Sequence, residues 1–224
     1  MEQLVALLRK DVLIISRRWH ELASLIIISI VIGIGVAYMI SGPLAPLAER
    51  LDATVVVAAG QIIVYFIISI ATGFIAVLRE AEKGTLDGLR ASPLSPETLF
   101  VAKLIYVYLI IIVLSFAYSL ATIFFSGYTS IFNTSYIVLS LSISLYFASA
   151  TALTSFMIIY SEARSLLSMV VLSGLLAPFL QEADRALAAA AAGTATGGQA
   201  AQILGAALAF AVIATILSKP LSEI

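Results

Sequence analysis

Cysteine is absent, histidine occurs once, and only 11% of the 224 residues are Asp, Glu, Lys or Arg. Without cysteine there is no disulfide and no thiolate metal site. A zinc hydrolase needs two histidines and a carboxylate, and a serine hydrolase needs a base beside its nucleophile. His20, alone at the edge of the first apolar run, supplies neither. No carboxylate dyad lies within an apolar run, so acid–base chemistry inside a membrane is disfavoured and no cofactor is expected. The glycines of ALAAAAAGTATGGQAA, residues 186–201, have no lysine after them, which argues against a phosphate-binding loop. A net charge of −1 gives no general attraction to nucleic acid. No linker, heptad array or repeat divides the chain, so residues 1–224 read as a single domain.

What the chain has is apolar length. Hydrophobic residues make up 62%, and mean hydropathy is +1.11, far above a soluble domain. A membrane core of about 30 Å takes about 20 helical residues, because backbone groups in lipid must be paired within the segment. Six runs qualify: 22–40, 55–78, 99–125, 136–160, 166–180 and 200–217. The reading is an all-α polytopic membrane protein of about six transmembrane helices. The fifth run is short and contains Pro178, which leaves a kink, a re-entrant turn or continuation into the Ala-rich stretch as alternatives.

The few charges have a pattern. With the N-terminus in the cytoplasm, Arg9, Lys10, Arg17, Arg18, Arg79, Lys83, Arg90, Lys103, Arg164 and Lys219 fall inside, against Arg50 and Arg185 outside. This positive-inside bias predicts two cytoplasmic termini in a plasma-membrane protein. Leu4, Leu8, Val12, Ile15 and Trp19 share one face of residues 1–21, with Arg9, Ser16, Arg17 and His20 opposite, as in an amphipathic helix lying at the lipid surface. Asn133-Thr134-Ser135 is a glycosylation sequon on the outer side.

Every ionisable group falls in a loop or an end turn of a run. Ion-coupled carriers usually hold such groups at mid-membrane, so secondary transport is disfavoured. The runs contain instead small residues four apart: Ser29-Gly33-Ala37, Tyr65-Ser69-Gly73, Ser140-Ser144-Ala148-Ala152 and Ala201-Gly205-Ala209. These rows favour close helix packing. Gln61, Tyr65 and Tyr118 are the polar points that would line a pathway.

Charge concentrates in REAEKGTLDGLRASPLSPETLFVAK, residues 79–103, which holds eight of the 25 charged residues. Helix two is expected to project through Arg79, Glu80 and Glu82 and to end at Gly84. Thr85 then caps a short helix in which Leu86 and Leu89 share a face beside Asp87 and Arg90, and Ser92-Pro93 ends it. Ser95-Pro96-Glu97 reads as cap, first-turn proline and first-turn acid of span three. Such punctuation holds a few apolar side chains at fixed cytoplasmic positions, as docking requires.

Gly84, Thr85, Leu86, Asp87, Leu89, Pro93 and Leu94, with Ala102-Lys103 at the start of the third span, resemble the segment between spans two and three of ABC-2-type permeases. The likeness is strongest to the heme exporter B subunit of cytochrome c maturation. The resemblance implies that residues 79–98 and the N-terminal helix contact a separate ABC ATPase subunit. It also implies a homodimer or a dimer with a related permease, embedded in membrane lipid. Ala177-Pro178-Phe179-Leu180 departs from the Pro-x-x-Ile-Phe pattern of heme exporter B, and no histidine in the spans or on the outer side could ligate heme iron, which leaves tyrosine as the alternative ligand. The alternative cargoes are lipid, polysaccharide or drug, and the rival classes are an ion-coupled carrier and a non-transporting assembly protein.

Overall fold

The computed structural model describes residues 19–42, 52–82, 95–160 and 165–222, together with residues 7, 9, 10 and 13, and gives only the backbone of 74–82, 158–160, 165–169 and 221–222. Six α-helices account for nearly all of it: α1 Trp19–Ser41, α2 Ala53–Glu82, α3 Pro96–Ser126, α4 Thr134–Tyr160, α5 Ser165–Ala191 and α6 Gly197–Ser222. A 3₁₀ turn, Thr129–Phe132, joins α3 to α4, and there is no strand among the described residues. Among the described residues, α1 to α4 and α6 are each long and apolar enough to cross a membrane. The expected amphipathic helix over 1–21 lies mostly outside the described residues. Leu7 packs on a cluster of Leu99, Phe100, Leu153, Phe156 and Ala214.

The helix ends follow the local chemistry. Asp52 Oδ1 accepts from the Thr54 amide at 3.0 Å at the head of α2. Ser95 caps α3 by accepting from the Thr98 amide at 3.3 Å, with Pro96 and Glu97 in the first turn, as expected. Gly127, at φ 71°, ends α3 in the left-handed conformation that glycine adopts without strain. Thr196 and Gln199 form a reciprocal capping box that starts α6.

The fifth helix resolves the question left by Pro178. It does not turn back: α5 continues through the Ala-rich stretch to Ala191, because alanine has the highest helix propensity and Ala183, Ala186, Leu187 and Ala190 are buried against the bundle. One expectation fails in consequence. Glu182, Asp184 and Arg185 lie within a continuous helix rather than in a loop, two turns short of its end. Lys103 also lies inside a helix, buried about two turns into α3.

The bundle is apolar outside and hydroxyl-rich inside. Phe124, Val170 and Ile216 are 82, 70 and 64% exposed, while Ser29, Gln61, Thr122, Ser149 and Thr151 are buried. This is the arrangement expected in lipid, where apolar burial does not drive helices together and small residues let backbones approach. Most of the inner hydroxyls bond back to a carbonyl three or four residues earlier, as Ser29 does to Leu25, Thr72 to Ile68 and Thr151 to Phe147. Their desolvation is thereby offset within the helix.

Packing confirms three of the four small-residue rows. α1 rests on α3 and α2, and α4 sits at the centre against α2, α3, α5 and α6. A Cβ on Gly33 would lie 2.8 Å from the Tyr118 carbonyl oxygen, and one on Gly60 would lie 2.5 Å from the Tyr118 hydroxyl. Those glycines set the spacing of α1, α2 and α3. The fourth row, Ala201-Gly205-Ala209, faces outward, and a Cβ on Gly205 would meet nothing within 4 Å. α6 packs instead through Ile203, Ala207, Ala214 and Ser218, because those positions face α4 and α3.

Candidate functional site

Side chains from three helices meet in an uncharged polar cluster. Gln61 and Tyr65, four apart on α2, lie on one face and are fully buried. Gln61 Nε2 donates to Ser115 Oγ of α3 at 2.9 Å, and Ser119 Oγ, one turn on, donates to Gln61 Oε1 at 3.3 Å. The amide of Gln61 thus uses both ends on one neighbouring helix. Tyr65 Oη reaches a second helix: it donates to the Ser140 carbonyl of α4 at 3.0 Å and lies within hydrogen-bond distance of Ser140 Oγ and Ser115 Oγ. Ser115 and Ser140 are themselves 3.3 Å apart, so α2, α3 and α4 share one network.

The tyrosine rings hold this network in place. Tyr65 lies against Phe147 of α4 at a centroid distance of 5.4 Å. Tyr118 is separate from the cluster, although it is equally buried. Its hydroxyl donates to the Val57 carbonyl at 2.8 Å, one turn before Gln61, and clamps α3 to α2. Of the three expected pathway residues, Gln61 and Tyr65 therefore come together, and Tyr118 acts as a brace beside them.

At 1.5 Å per residue, Gln61 lies about 12 Å from the start of α2 and Ser115 about 17 Å from the end of α3. The cluster thus occupies the half of the bundle nearer the α3–α4 turn. Every member is an amide or a hydroxyl, so the site has no group that changes charge near neutrality and no activated nucleophile. What it can do is reorganise dipoles: each hydroxyl exchanges one helix's oxygen for another's without a charge moving through lipid. Among the described residues no group of three His, Asp or Glu could hold a metal.

Three members were not foreseen as site residues. Ser115 and Ser119 stand on either side of Tyr118 and four residues apart, the interval that also separates Gln61 from Tyr65 on α2. Ser140 was assigned to a packing row, and it both packs and bonds. Asn133 of the sequon is partly committed: its side-chain oxygen accepts from the Ser135 amide at 3.0 Å, and Nδ2 donates to the Ala190 carbonyl at 3.4 Å.

The expected coupling residues divide. Glu80 and Glu82 fall in the last turns of α2, which runs as one helix to Glu82. Gly84, Thr85, Leu86, Asp87, Leu89, Arg90, Pro93 and Leu94 lie outside the described residues. The 30 residues of α2 make a helix of about 45 Å, longer than the roughly 30 Å core it would cross.

No curated protein and no solved structure matches the chain. The family of ABC-2 type transporter membrane domains matches residues 2–181, four-fifths of the sequence and the whole of α1 to α4, and the chain belongs to that family.

Proposed function

We propose that this polypeptide is a non-catalytic permease subunit, one domain over residues 1–224, that receives work from a separate ATPase through residues 79–98. Family membership supports the permease role and the ATPase partner. The observation that carries the coupling assignment is the bracketing of residues 83–94. A helix projecting to Glu82 leads in, and a capped helix starting at Pro96 leads out. Force applied between two such helix ends acts directly on α2 and α3, the helices that carry Gln61, Tyr65 and Ser115. Two copies of the chain, or one with a related permease, form the membrane half, with both termini in the cytoplasm of a plasma-membrane complex. Leu86 and Leu89 dock on the ATPase, and Glu80, Glu82, Asp87 and Arg90 set the charge around them.

Heme is the cargo that the likeness to heme exporter B suggests. The departure at Ala177–Leu180 and the single histidine, exposed in the first turn of α1, favour another ABC-2 cargo. Copurification with a soluble ATPase tests the reading. Leu89→Asp is expected to abolish association while the chain remains folded in the membrane. Undiminished capture by that variant, or transport by the purified chain in vesicles driven only by a sodium or proton gradient, overturns it.

A further inference from the structure

Beside the Gln61–Tyr65 cluster, α3, α4 and the 3₁₀ turn enclose a cleft of about 130 Å³. Ser115, Ser119, Ser140, Ser144 and Tyr136 are among its lining residues, and the serine hydroxyls, bonded within the chain, keep acceptor capacity. Its rim is different. Phe116, Phe132, Ile137 and Leu141 line it and are 39 to 55% exposed on the outward face of the bundle. No lining residue is charged.

Tyr136 makes the cleft more than a gap between helices. The residue is 1% exposed, and its hydroxyl is buried without a hydrogen-bond partner. Neighbouring tyrosines have found carbonyls: Tyr65 that of Ser140, Tyr118 that of Val57 and Tyr146 that of Leu175. A buried hydroxyl left unpaired is destabilising, and an acceptor brought in from outside the chain would pair it.

We propose that this cleft binds a bilayer lipid whose head is uncharged and offers a hydroxyl or an ester carbonyl, as an acylglycerol does. The head group meets the serines and the Tyr136 phenol, and the acyl chain leaves over the apolar rim into the membrane. A charged head would lose its hydration with no counter-charge to receive it, which selects the neutral class. Size selects too. A cavity of about 150 Å³ takes a single benzene ring, so this one accommodates a glycerol-sized group but not the four-ring macrocycle of heme. Depth agrees: Tyr136 and Ser144 lie two and ten residues into α4, about 3 and 15 Å from its end, spanning ester and upper-chain levels.

The assignment is independent of ATPase docking, which concerns the other half of the bundle, so either can fail alone. The full-length chain in nanodiscs would be irradiated with a diacylglycerol carrying a diazirine on its acyl chain, and adducts mapped by mass spectrometry. Labelling is expected on residues 112–119 and 137–144. Tyr136→Phe removes a hydroxyl that has no partner in the chain, so it spares the fold; it should lower labelling about fivefold, the effect of one neutral hydrogen bond. Ile137→Trp, which fills the mouth, should abolish labelling, and Leu208→Trp on the outward face of α6 should leave it unchanged. Equal labelling of wild type and Tyr136→Phe overturns the proposal, as does equal labelling by phosphatidylglycerol bearing the same chain. A chain-to-chain adduct from p-benzoylphenylalanine at position 132 assigns the cleft to a second copy and overturns it as well.

Discussion

The ring of Tyr146 stacks on that of Phe179 with centroids 3.8 Å apart and planes 14° from parallel, one residue beyond Pro178. The same tyrosine donates its hydroxyl hydrogen to the Leu175 carbonyl at 3.1 Å, and Phe210 of α6 flanks its ring at 4.7 Å. Pro178 has no amide hydrogen for the Gly174 carbonyl one turn back, and Tyr146 bonds the carbonyl next to it. Tyr146 thus ties α5 and α6 to the central helix at the point where α5 is weakest. Tyr146→Ala is expected to lower stability by about 3 kcal/mol through loss of the buried ring. Tyr146→Phe keeps the stack and should cost less than about 1 kcal/mol, the usual size of an interhelical hydrogen bond in a membrane. Thermal unfolding of both variants checks the ranking, and equal losses would show that the hydroxyl, not the stack, holds α5.

Gly33 sets the distance between α1 and α3. Its side-chain position is occupied by the Tyr118 carbonyl and the Ala121 methyl at 2.8 and 2.9 Å, and the carbonyl belongs to a rigid helical backbone. Gly33→Val should therefore cost about 2 kcal/mol by overpacking. Gly35, two residues on, has open space around it, so Gly35→Ala should be neutral or stabilising by up to about 1 kcal/mol through helix propensity. Melting temperatures that fall equally for both would show that glycine serves flexibility here rather than close approach.

Gln61→Leu removes the bridge to Ser115 and Ser119. Buried polar groups left unpaired can cost several kcal/mol, but Ser115 keeps Tyr65 and Ser140 within reach. The expected loss is about 1 kcal/mol, in line with membrane double-mutant cycles. A Gln61→Leu, Ser115→Ala cycle measures the coupling, and a coupling energy near zero would remove the bond from the account. In the assembled transporter, the same variant should reduce transport more than ATPase binding.

Asp184 stands in α5 with Oδ1 buried and unpartnered, while its neighbours Glu182 and Arg185 pair with each other on the surface at 3.5 Å. Asp184→Asn removes the charge at constant shape and should stabilise the protein by about 1 kcal/mol. Unfolding midpoints in detergent check the sign; destabilisation would mean that the carboxylate has a partner within the assembled transporter.

Much of this architecture is written in local signals. Long apolar runs give the helices, since backbone pairing in lipid permits little else, and Ser95-Pro96-Glu97 marks the start of α3 to the residue. Gln61 and Tyr65 stood out because polar residues are expensive in such runs. Their partners did not, because serine is common on packing faces and a sequence does not tell which hydroxyl bonds to its own helix and which reaches across. The outward row on α6 failed for a related reason: four-residue spacing defines a face but not what lies opposite. Asp184 and Arg185 looked like loop residues because the apolar run stops at Leu180, and the strong helix propensity of the alanines after them carried α5 onward.

The unbroken run of α2 from Gln61 to Glu82 has a mechanical corollary. A helix is stiff in torsion, so a twist imposed at its Glu82 end arrives at Tyr65 with little attenuation, some 25 Å away along the axis. There the phenol is gripped by α4 and the amide by α3, and neither hold involves an ion pair. A rotation of α2 would trade one hydroxyl oxygen for another there and part no ion pair.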